Sequence, residues 1–189
     1  MRKLLYVHGY NGMPEGYSCN LIKSVLPEGY TIEGVDYDQN DCALARQQIL
    51  EYIKTHNMDL VIGSSLGGFI TLTLPGIKRF VINPCCLPSV ELPKIDVPQK
   101  LIDTYKPFEP LLDHISEEDR QLVRGFFGDH DELLGDRYIG FFESRFGHLQ
   151  RITSGHHLSM EGAKVIAGCL EAYFQEIDTN GTKPFYHHR

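Results

Sequence analysis

The chain has 189 residues, which is enough for one domain with a full hydrophobic core. Its composition, 42% hydrophobic and 23% charged, is that of an ordinary globular protein. The net charge is −7 and the 18 lysines and arginines are scattered, which argues against nucleic acid or an anionic membrane surface as the main partner. No apolar segment approaches the length needed to span a bilayer.

The N-terminal apolar run and the cysteines indicate where in the cell the protein is located. The run from Leu4 to Val7 ends at His8, well short of the apolar core of a signal peptide. The five cysteines are an odd number and none has C-x-x-C spacing. We therefore expect reduced thiols in a cytoplasmic protein. The sequence carries no signal for an oligomeric state.

Hydrophobic periodicity predicts strands that alternate with helices along the chain. Apolar runs predict strands at residues 3–8, 30–37, 59–63, 79–82, 121–127 and 148–153. Helical spacing predicts helices at residues 17–25, 41–55, 66–74, 134–146 and from about 159 to 178, the second with Asp41 as its N-cap. This alternation predicts an α/β fold: a doubly wound, mostly parallel sheet of about six strands with helices on both faces.

We expect residues 1–178 to form a single domain, followed by a flexible polar tail at 179–189. Within the domain, residues 84–120 contain six prolines and no sustained periodicity apart from a short helix near 111–120. Such a segment often forms a lid, and it can equally be a surface excursion without a role. Its apolar residues could line an acyl pocket, although core contacts are the favoured interpretation: Leu87, Val90, Leu92, Ile95, Val97 and Leu101.

The pattern Gly63-x-Ser65-x-Gly67 lies between a predicted strand and a predicted helix. In this context G-x-S-x-G is typical of a nucleophile elbow, a sharp turn that exposes the central serine at the sheet edge. The glycines are needed where the backbone approaches itself too closely for a side chain. Ser65 is centred between the glycines and Ser64 is not, so Ser65 is the candidate nucleophile. The alternative is a Gly-Ser turn that caps a helix.

A serine nucleophile needs a general base and an orienting carboxylate. Asp131 and His156 each follow a predicted strand, and a parallel sheet gathers the carboxyl ends of its strands at one edge. The order Ser65, Asp131, His156 is that of α/β-hydrolases. The backbone N–H groups of Leu66 and Tyr10 are the predicted oxyanion donors.

Neighbouring residues leave alternatives open. His157 is an alternative base, since either histidine ring can in principle reach Ser65. Asp129 and Glu132 are alternative acids, with Asp129 better interpreted as a turn residue. His8 precedes the loop that carries Tyr10, and we favour a structural role in which it hydrogen-bonds the backbone of that loop.

These motifs together resemble those of a known protein family. The chain resembles the α/β-hydrolases, and within them the small YqiA/YcfP-like esterases of the UPF0227 group. Gly128-x-x-Asp131 matches the acid-loop spacing of that family, and Gly155-His156 resembles its Gly-His pair. Two departures are Tyr10, where phenylalanine is more frequent, and the doubled histidine, which leaves the base ambiguous. The matching segments run through the domain: residues 5–11, 63–68, 81–84, 128–134 and 154–158.

The resemblance implies a serine esterase with a reduced cap, acting on a small-molecule acyl ester or thioester without a cofactor. Alternatives on the same scaffold are a catalytically silent binding protein, an acyltransferase and a lactonase. A metal site is not expected. Residues 36–47 have Asp41 and Gln47 where a calcium loop needs glycine and a bidentate glutamate. His130, His156 and His157 lack the spacing of a zinc site.

Overall fold

The structure, a computed structural model, describes residues 1–180, so most of the predicted tail lies outside the described residues. Six parallel strands form one sheet in the order β2-β1-β3-β4-β5-β6. The predicted "mostly parallel" sheet is thus parallel throughout. The strands are β1 (Arg2–Val7), β2 (Tyr30–Gly34), β3 (Leu60–Ser64), β4 (Lys78–Ile82), β5 (Val123–Gly128) and β6 (Leu149–Ile152).

The helices occupy the connections between the strands. Asp41 caps the second helix as predicted, because its carboxylate accepts the N–H of Leu44 at 3.1 Å. The last helix continues through residues 179 and 180, beyond the predicted start of the tail. The α-helices are α1 (Tyr17–Val25), α2 (Cys42–His56), α3 (Ser65–Leu72), α4 (Pro88–Glu91), α5 (Gln99–Tyr105), α6 (Glu117–Gln121), α7 (Ile139–Phe146) and α8 (Met160–Asn180), with 3₁₀ helices at Leu92–Ile95 and Lys106–Asp113.

Successive strand residues point to opposite faces of the sheet, and helices cover both faces. Leu4 and Leu60 belong to a buried cluster completed by α1 and α8. Leu5 and Val61, one position further along each strand, belong to a second cluster with α2, α3, α7 and parts of the 84–120 segment. The doubly wound α/β arrangement is therefore confirmed.

The strands end at the same edge of the sheet. Val7 pairs with Gly63, and Ser64 pairs with Ile82. Further along the sheet, Gly128 pairs with Ile152. The strand order reverses between β1 and β3, and in doubly wound sheets the crevice beyond such a reversal is where ligands bind.

The predicted helix at 134–146 is wrong in its first part. The helix begins only at Ile139, and Leu134 lies in a preceding series of turns. The Asp131 carboxylate accepts the N–H groups of Leu133 and Leu134, both at 2.9 Å, which organises a turn where the apolar spacing alone suggests helix. Leu134 and Tyr138 are nevertheless buried, as the apolar pattern predicts.

Residues 84–120 form short helical pieces rather than an irregular loop. Prolines stand in the first turn of α4 and of both 3₁₀ helices, where their missing N–H is tolerated. Of the six apolar residues in question, Leu92, Val97 and Leu101 belong to the core and Leu87 packs against it. Val90 and Ile95 are about half exposed.

Candidate active site

The backbone turns sharply at the end of β3. Ser65, the first residue of α3, has a φ of +51°, which is uncommon for a residue other than glycine. A Cβ on Gly63 would lie 2.5 Å from the carbonyl oxygen of Gly67, and one on Gly67 would lie 2.2 Å from that of His8. Glycine is therefore required at both positions, as the elbow interpretation predicts.

The two adjacent serines have different partners. The Ser64 hydroxyl lies 2.7 Å from the hydroxyl of Tyr6 in β1. The Ser65 Oγ lies 3.1 Å from the Nε2 atom of His156. The turn thus separates the two side chains, and only Ser65 contacts a group that can accept its proton.

His156 connects Ser65 to a carboxylate. Its Nδ1 atom lies 3.1 Å from both carboxylate oxygens of Asp131. The two side chains are almost completely buried, with exposed fractions of 8% for His156 and 2% for Asp131. Burial alone would raise the pKa of Asp131, but hydrogen bonds from His156 and from the backbone N–H groups of Leu134 and Leu133 hold the pKa below its usual value. Asp131 is therefore a carboxylate at neutral pH.

The alternative acids contact the backbone rather than the His156 ring. Asp129 accepts the N–H of Ser154 at 3.0 Å. Glu132 accepts the N–H of His156 at 2.9 Å, and this hydrogen bond lowers the pKa of Glu132. The alternative base, His157, is exposed, with its ring centre 6.1 Å from that of His156. Of the predicted residues and their alternatives, Ser65, His156 and Asp131 form the connected set.

The loop after β1 lies beside the serine. A Cβ on Gly9 would stand 3.1 Å from the Cβ of Ser65, and Tyr10 follows at once. The His8 ring is buried, and its Nδ1 atom lies 2.8 Å from the Gly9 carbonyl oxygen, the structural contact expected of it. Leu66 is the second residue of α3, so its N–H is one of the four that a helix leaves without an internal partner.

A cavity of about 180 Å³ opens beside Ser65. A larger groove of about 380 Å³ lies between α8 and the starts of β5 and β6, and no predicted site residue lines it. Ser65 and His156 thus line the smaller cavity and not the larger groove. The lining of the smaller cavity combines Tyr10, Ser65, Leu66 and His156 with Cys85, Glu91, Leu92, Lys94, Ile95, Glu132, Leu133 and Leu134.

One wall of this cavity contains a buried carboxylate that the sequence does not reveal. Glu91 receives hydrogen bonds from Tyr138 at 2.6 Å, Lys94 at 2.9 Å and Arg137 at 2.5 Å. Burial alone would raise its pKa, but these three donors outweigh burial and lower the pKa. The cluster joins α4 to the turn before α7. Its members are up to 47 residues apart in the chain, so no local pattern could identify it.

Residues 1–180 contain no group of three or more His, Cys, Asp or Glu side chains placed to hold a metal ion. None of the helices in this range combines the length and the apolar character of a membrane span. The five cysteines are free thiols, and four of them are buried.

Comparison with solved structures shows an α/β-hydrolase fold. Est1E from Butyrivibrio proteoclasticus, in a structure with bound ferulic acid, is 13% identical with a TM-score of 0.71 over 93% of this chain and 89% of that one. The esterase EaEST from Exiguobacterium antarcticum is 14% identical with a TM-score of 0.64 over 93% and 92%. The esterase domain of a Rhodothermus marinus protein is 14% identical with a TM-score of 0.66 over 93% and 87%.

At the level of sequence, no curated protein matches the chain significantly. The uncharacterised protein family UPF0227, however, matches residues 3–121, which is more than half of the chain. The match includes the loop after β1, the elbow and Asn83-Pro84, the segments that carry the resemblance in the first two thirds of the sequence. The protein is therefore a member of the UPF0227 family with an α/β-hydrolase fold.

Proposed function

We propose that the protein is a serine hydrolase that cleaves a small-molecule acyl ester or thioester through an acyl-enzyme. The observation that carries this proposal is the continuous hydrogen-bonded chain from Ser65 Oγ through His156 to Asp131, with 3.1 Å at each step. A serine in a strained turn, with a buried imidazole and carboxylate behind it, is an arrangement that activates a hydroxyl. The named esterases that share the fold add support.

In the proposed mechanism, His156 donates its Nδ1–H to Asp131, which leaves Nε2 free to accept the Ser65 proton. Ser65 Oγ then bonds to the acyl carbon, and the N–H groups of Leu66 and Tyr10 stabilise the oxyanion. As the oxyanion collapses, the bond to the leaving group breaks, and His156 gives its proton to the departing alcohol or thiol. Water activated by His156 releases the acid by the same steps and restores Ser65.

The cavity supports a small acyl group as the bound part of the substrate. Its volume of about 180 Å³ is below the range of about 300–1,000 Å³ typical of drug-sized ligands. Leu92 and Ile95 bring the 84–120 segment into the wall, which supports a pocket role for part of that insertion. Leu133 and Leu134 add apolar surface from the loop that carries Asp131.

Five free thiols support a reducing compartment such as the cytoplasm.

The test is hydrolysis of a p-nitrophenyl ester series, from acetate to long acyl chains, and of matched thioesters. Wild type, Ser65→Ala and Ser64→Ala are compared. Ser65→Ala should lose several orders of magnitude in kcat, because the attacking oxygen is absent. Ser64→Ala is the matched control, since its hydroxyl contacts Tyr6, and it should retain activity.

The result separates the proposal from its alternatives. Equal turnover by wild type and Ser65→Ala would contradict it. Absence of turnover on every ester and thioester would favour a binding protein on this fold. Acyl transfer to an added alcohol in preference to water would identify an acyltransferase, and preferential opening of cyclic esters would identify a lactonase.

A further inference from the structure

Asn83, the residue that follows β4, has an unusual backbone conformation. Its φ is +43°, in the left-handed region, and the residue is only 2% exposed. Asparagine is one of the few residues other than glycine that adopt this conformation readily. Asn83 lies at the sheet edge beside Ser65, and buried residues in such sparsely populated conformations cluster at functional sites.

The side-chain amide of Asn83 joins two loops. Its Oδ1 atom accepts the N–H of Gly128 at 2.7 Å, where the acid loop begins. Its Nδ2 atom donates to the carbonyl oxygens of Gly155 at 2.9 Å and His156 at 3.3 Å. An amide is the short neutral side chain that carries both an acceptor and two donors, so aspartate or alanine could not reproduce the set.

The same stretch of chain also contacts the elbow. The N–H of Cys85, two residues after Asn83, donates to the carbonyl oxygen of Ser65 at 3.0 Å. Residues 83–85 are therefore bonded to the backbone of Ser65, to the start of the loop carrying Asp131 and to the loop carrying His156. The relative positions of these three segments determine the distances from His156 to its two partners.

We infer that Asn83 is a positioning residue that holds the loop carrying Asp131 and the loop carrying His156 at fixed positions relative to Ser65. The inference rests on the proposed function. Asn83 contacts neither Ser65 Oγ nor the His156 ring, so it acts on the reaction through the two loops. Loss of its amide should let the His156 ring move relative to Ser65 and Asp131 while leaving the apolar walls of the cavity beside Ser65, which Asn83 does not line, in place.

The experiment compares Asn83→Gly with Asn57→Gly. Both asparagines have positive φ, so glycine accepts the backbone conformation at either position. Asn57 is the C-cap that follows α2, away from the site. In Asn83→Gly, kcat should fall about 100-fold with KM within about twofold of wild type, the size of effect expected from a misplacement of about 1 Å. Asn57→Gly should keep wild-type kcat and KM.

Circular dichroism and thermal unfolding report the folded fraction, so that kcat is compared per folded molecule. A lower Tm with unchanged kcat per folded molecule would assign Asn83 a purely structural role and overturn the inference.

Asn83→Asp is the second variant. It preserves side-chain size and the contact with the Gly128 N–H but removes both donated hydrogen bonds. Its kcat should also fall, and wild-type kcat would likewise overturn the inference.

A measurement independent of turnover separates this inference from the proposed function. The proton on His156 Nδ1, bonded to Asp131, should give a low-field NMR resonance, assigned by its loss in His156→Ala. It should persist in Asn57→Gly and broaden or disappear in Asn83→Gly. If that pattern is seen in a protein that hydrolyses no ester or thioester, the proposed function fails and the positioning role stands. An unchanged resonance in Asn83→Gly would refute the positioning role whatever the activity.

Discussion

Backbone conformation distinguishes Ser65 from Ser64, although the two residues are chemically identical. Ser64 is extended, with a φ of −119°, and its hydroxyl contacts Tyr6 within the sheet. Ser65 has a φ of +51° and contacts His156. The G-x-S-x-G spacing predicts this difference, because a strand that ends and a helix that begins at once leave one residue to make the turn.

The carboxylates of Asp131 and Asp129, which follow β5, should differ in their effect on catalysis. Asp131→Asn should lower kcat by about 10⁴-fold, because the amide favours the wrong His156 tautomer and cannot stabilise the imidazolium. Asp129→Asn is the matched control, since its side-chain oxygen can still accept the Ser154 N–H, and its kcat should stay close to wild type. Steady-state kinetics on one ester tests both variants. Loss of activity in Asp129→Asn but not in Asp131→Asn would reverse the acid assignment.

At the scale of elements, the first turn of α3 packs closely against the end of β1, and this contact positions the helix. Gly67 leaves no space for a Cβ, because the carbonyl oxygens of Val7 and His8 would lie 2.3 and 2.2 Å away. The sequence predicts tight packing at this glycine. It does not predict that the neighbour is the first strand, because that contact depends on β1 and β3 being adjacent in the sheet.

Alanine substitution tests this packing. Gly67→Ala should destabilise the fold by at least about 4 kcal/mol, because two backbone carbonyls would have to move. Gly168→Ala is the control, since Gly168 lies within α8 with open space around it. Removing a glycine from a helix should stabilise the protein by about 1 kcal/mol without changing activity. Urea unfolding measures both effects. A Gly67→Ala protein as stable as wild type would contradict the close approach.

A second element-scale prediction concerns Glu91, which joins α4 to the turn before α7. Three donors lower its pKa below the usual 4.5, so its stabilising contribution is present above pH 4.5 and is lost as the pH falls through the folded-state pKa. Glu91→Gln should therefore cost about 2 kcal/mol at pH 7, because hydrogen bonds to a charged group are lost. The difference from wild type should shrink at about pH 3.5.

Urea unfolding of wild type and Glu91→Gln at both pH values measures this change. Glu109→Gln is a control in the same 84–120 segment, since Glu109 bonds Ser89 rather than Arg137 and Tyr138. An equal loss in Glu91→Gln at both pH values would show that the charge of Glu91 does not contribute.

At the scale of the whole molecule, the sheet collects residues from distant parts of the sequence. His156 lies 91 residues from Ser65 and 25 from Asp131. The alternation of strands and helices predicts that these three residues lie at one edge of the sheet, because every parallel strand ends at the same edge. The contacts of Asn83 with Gly128 and Gly155, 45 and 72 residues away, could not be predicted, because nothing in the local sequence specifies which loop carbonyl or N–H meets the amide.

The cavity beside Ser65 is also a property of the whole molecule, since its walls come from residues between Tyr10 and His156. Its volume predicts a preference for short acyl chains, so p-nitrophenyl butyrate should be a better substrate than the palmitate. Ile95→Ala should move the optimum to longer chains, because Ile95 lines the cavity and is 50% exposed. Val90→Ala is the matched control, 46% exposed but not part of the lining. A palmitate preference in wild type, or equal profiles for both variants, would contradict the assignment of the pocket.

Activation of Ser65 as a nucleophile by His156 and Asp131 can be tested without knowledge of the substrate. Intact-mass spectrometry after treatment with a fluorophosphonate is the most direct test, because the reagent forms a stable adduct with an activated serine. We predict one adduct per molecule on wild type, located at Ser65 by peptide mapping, and none on Ser65→Ala. Equal labelling of Ser65→Ala, or an adduct mapped to another residue, would contradict the account.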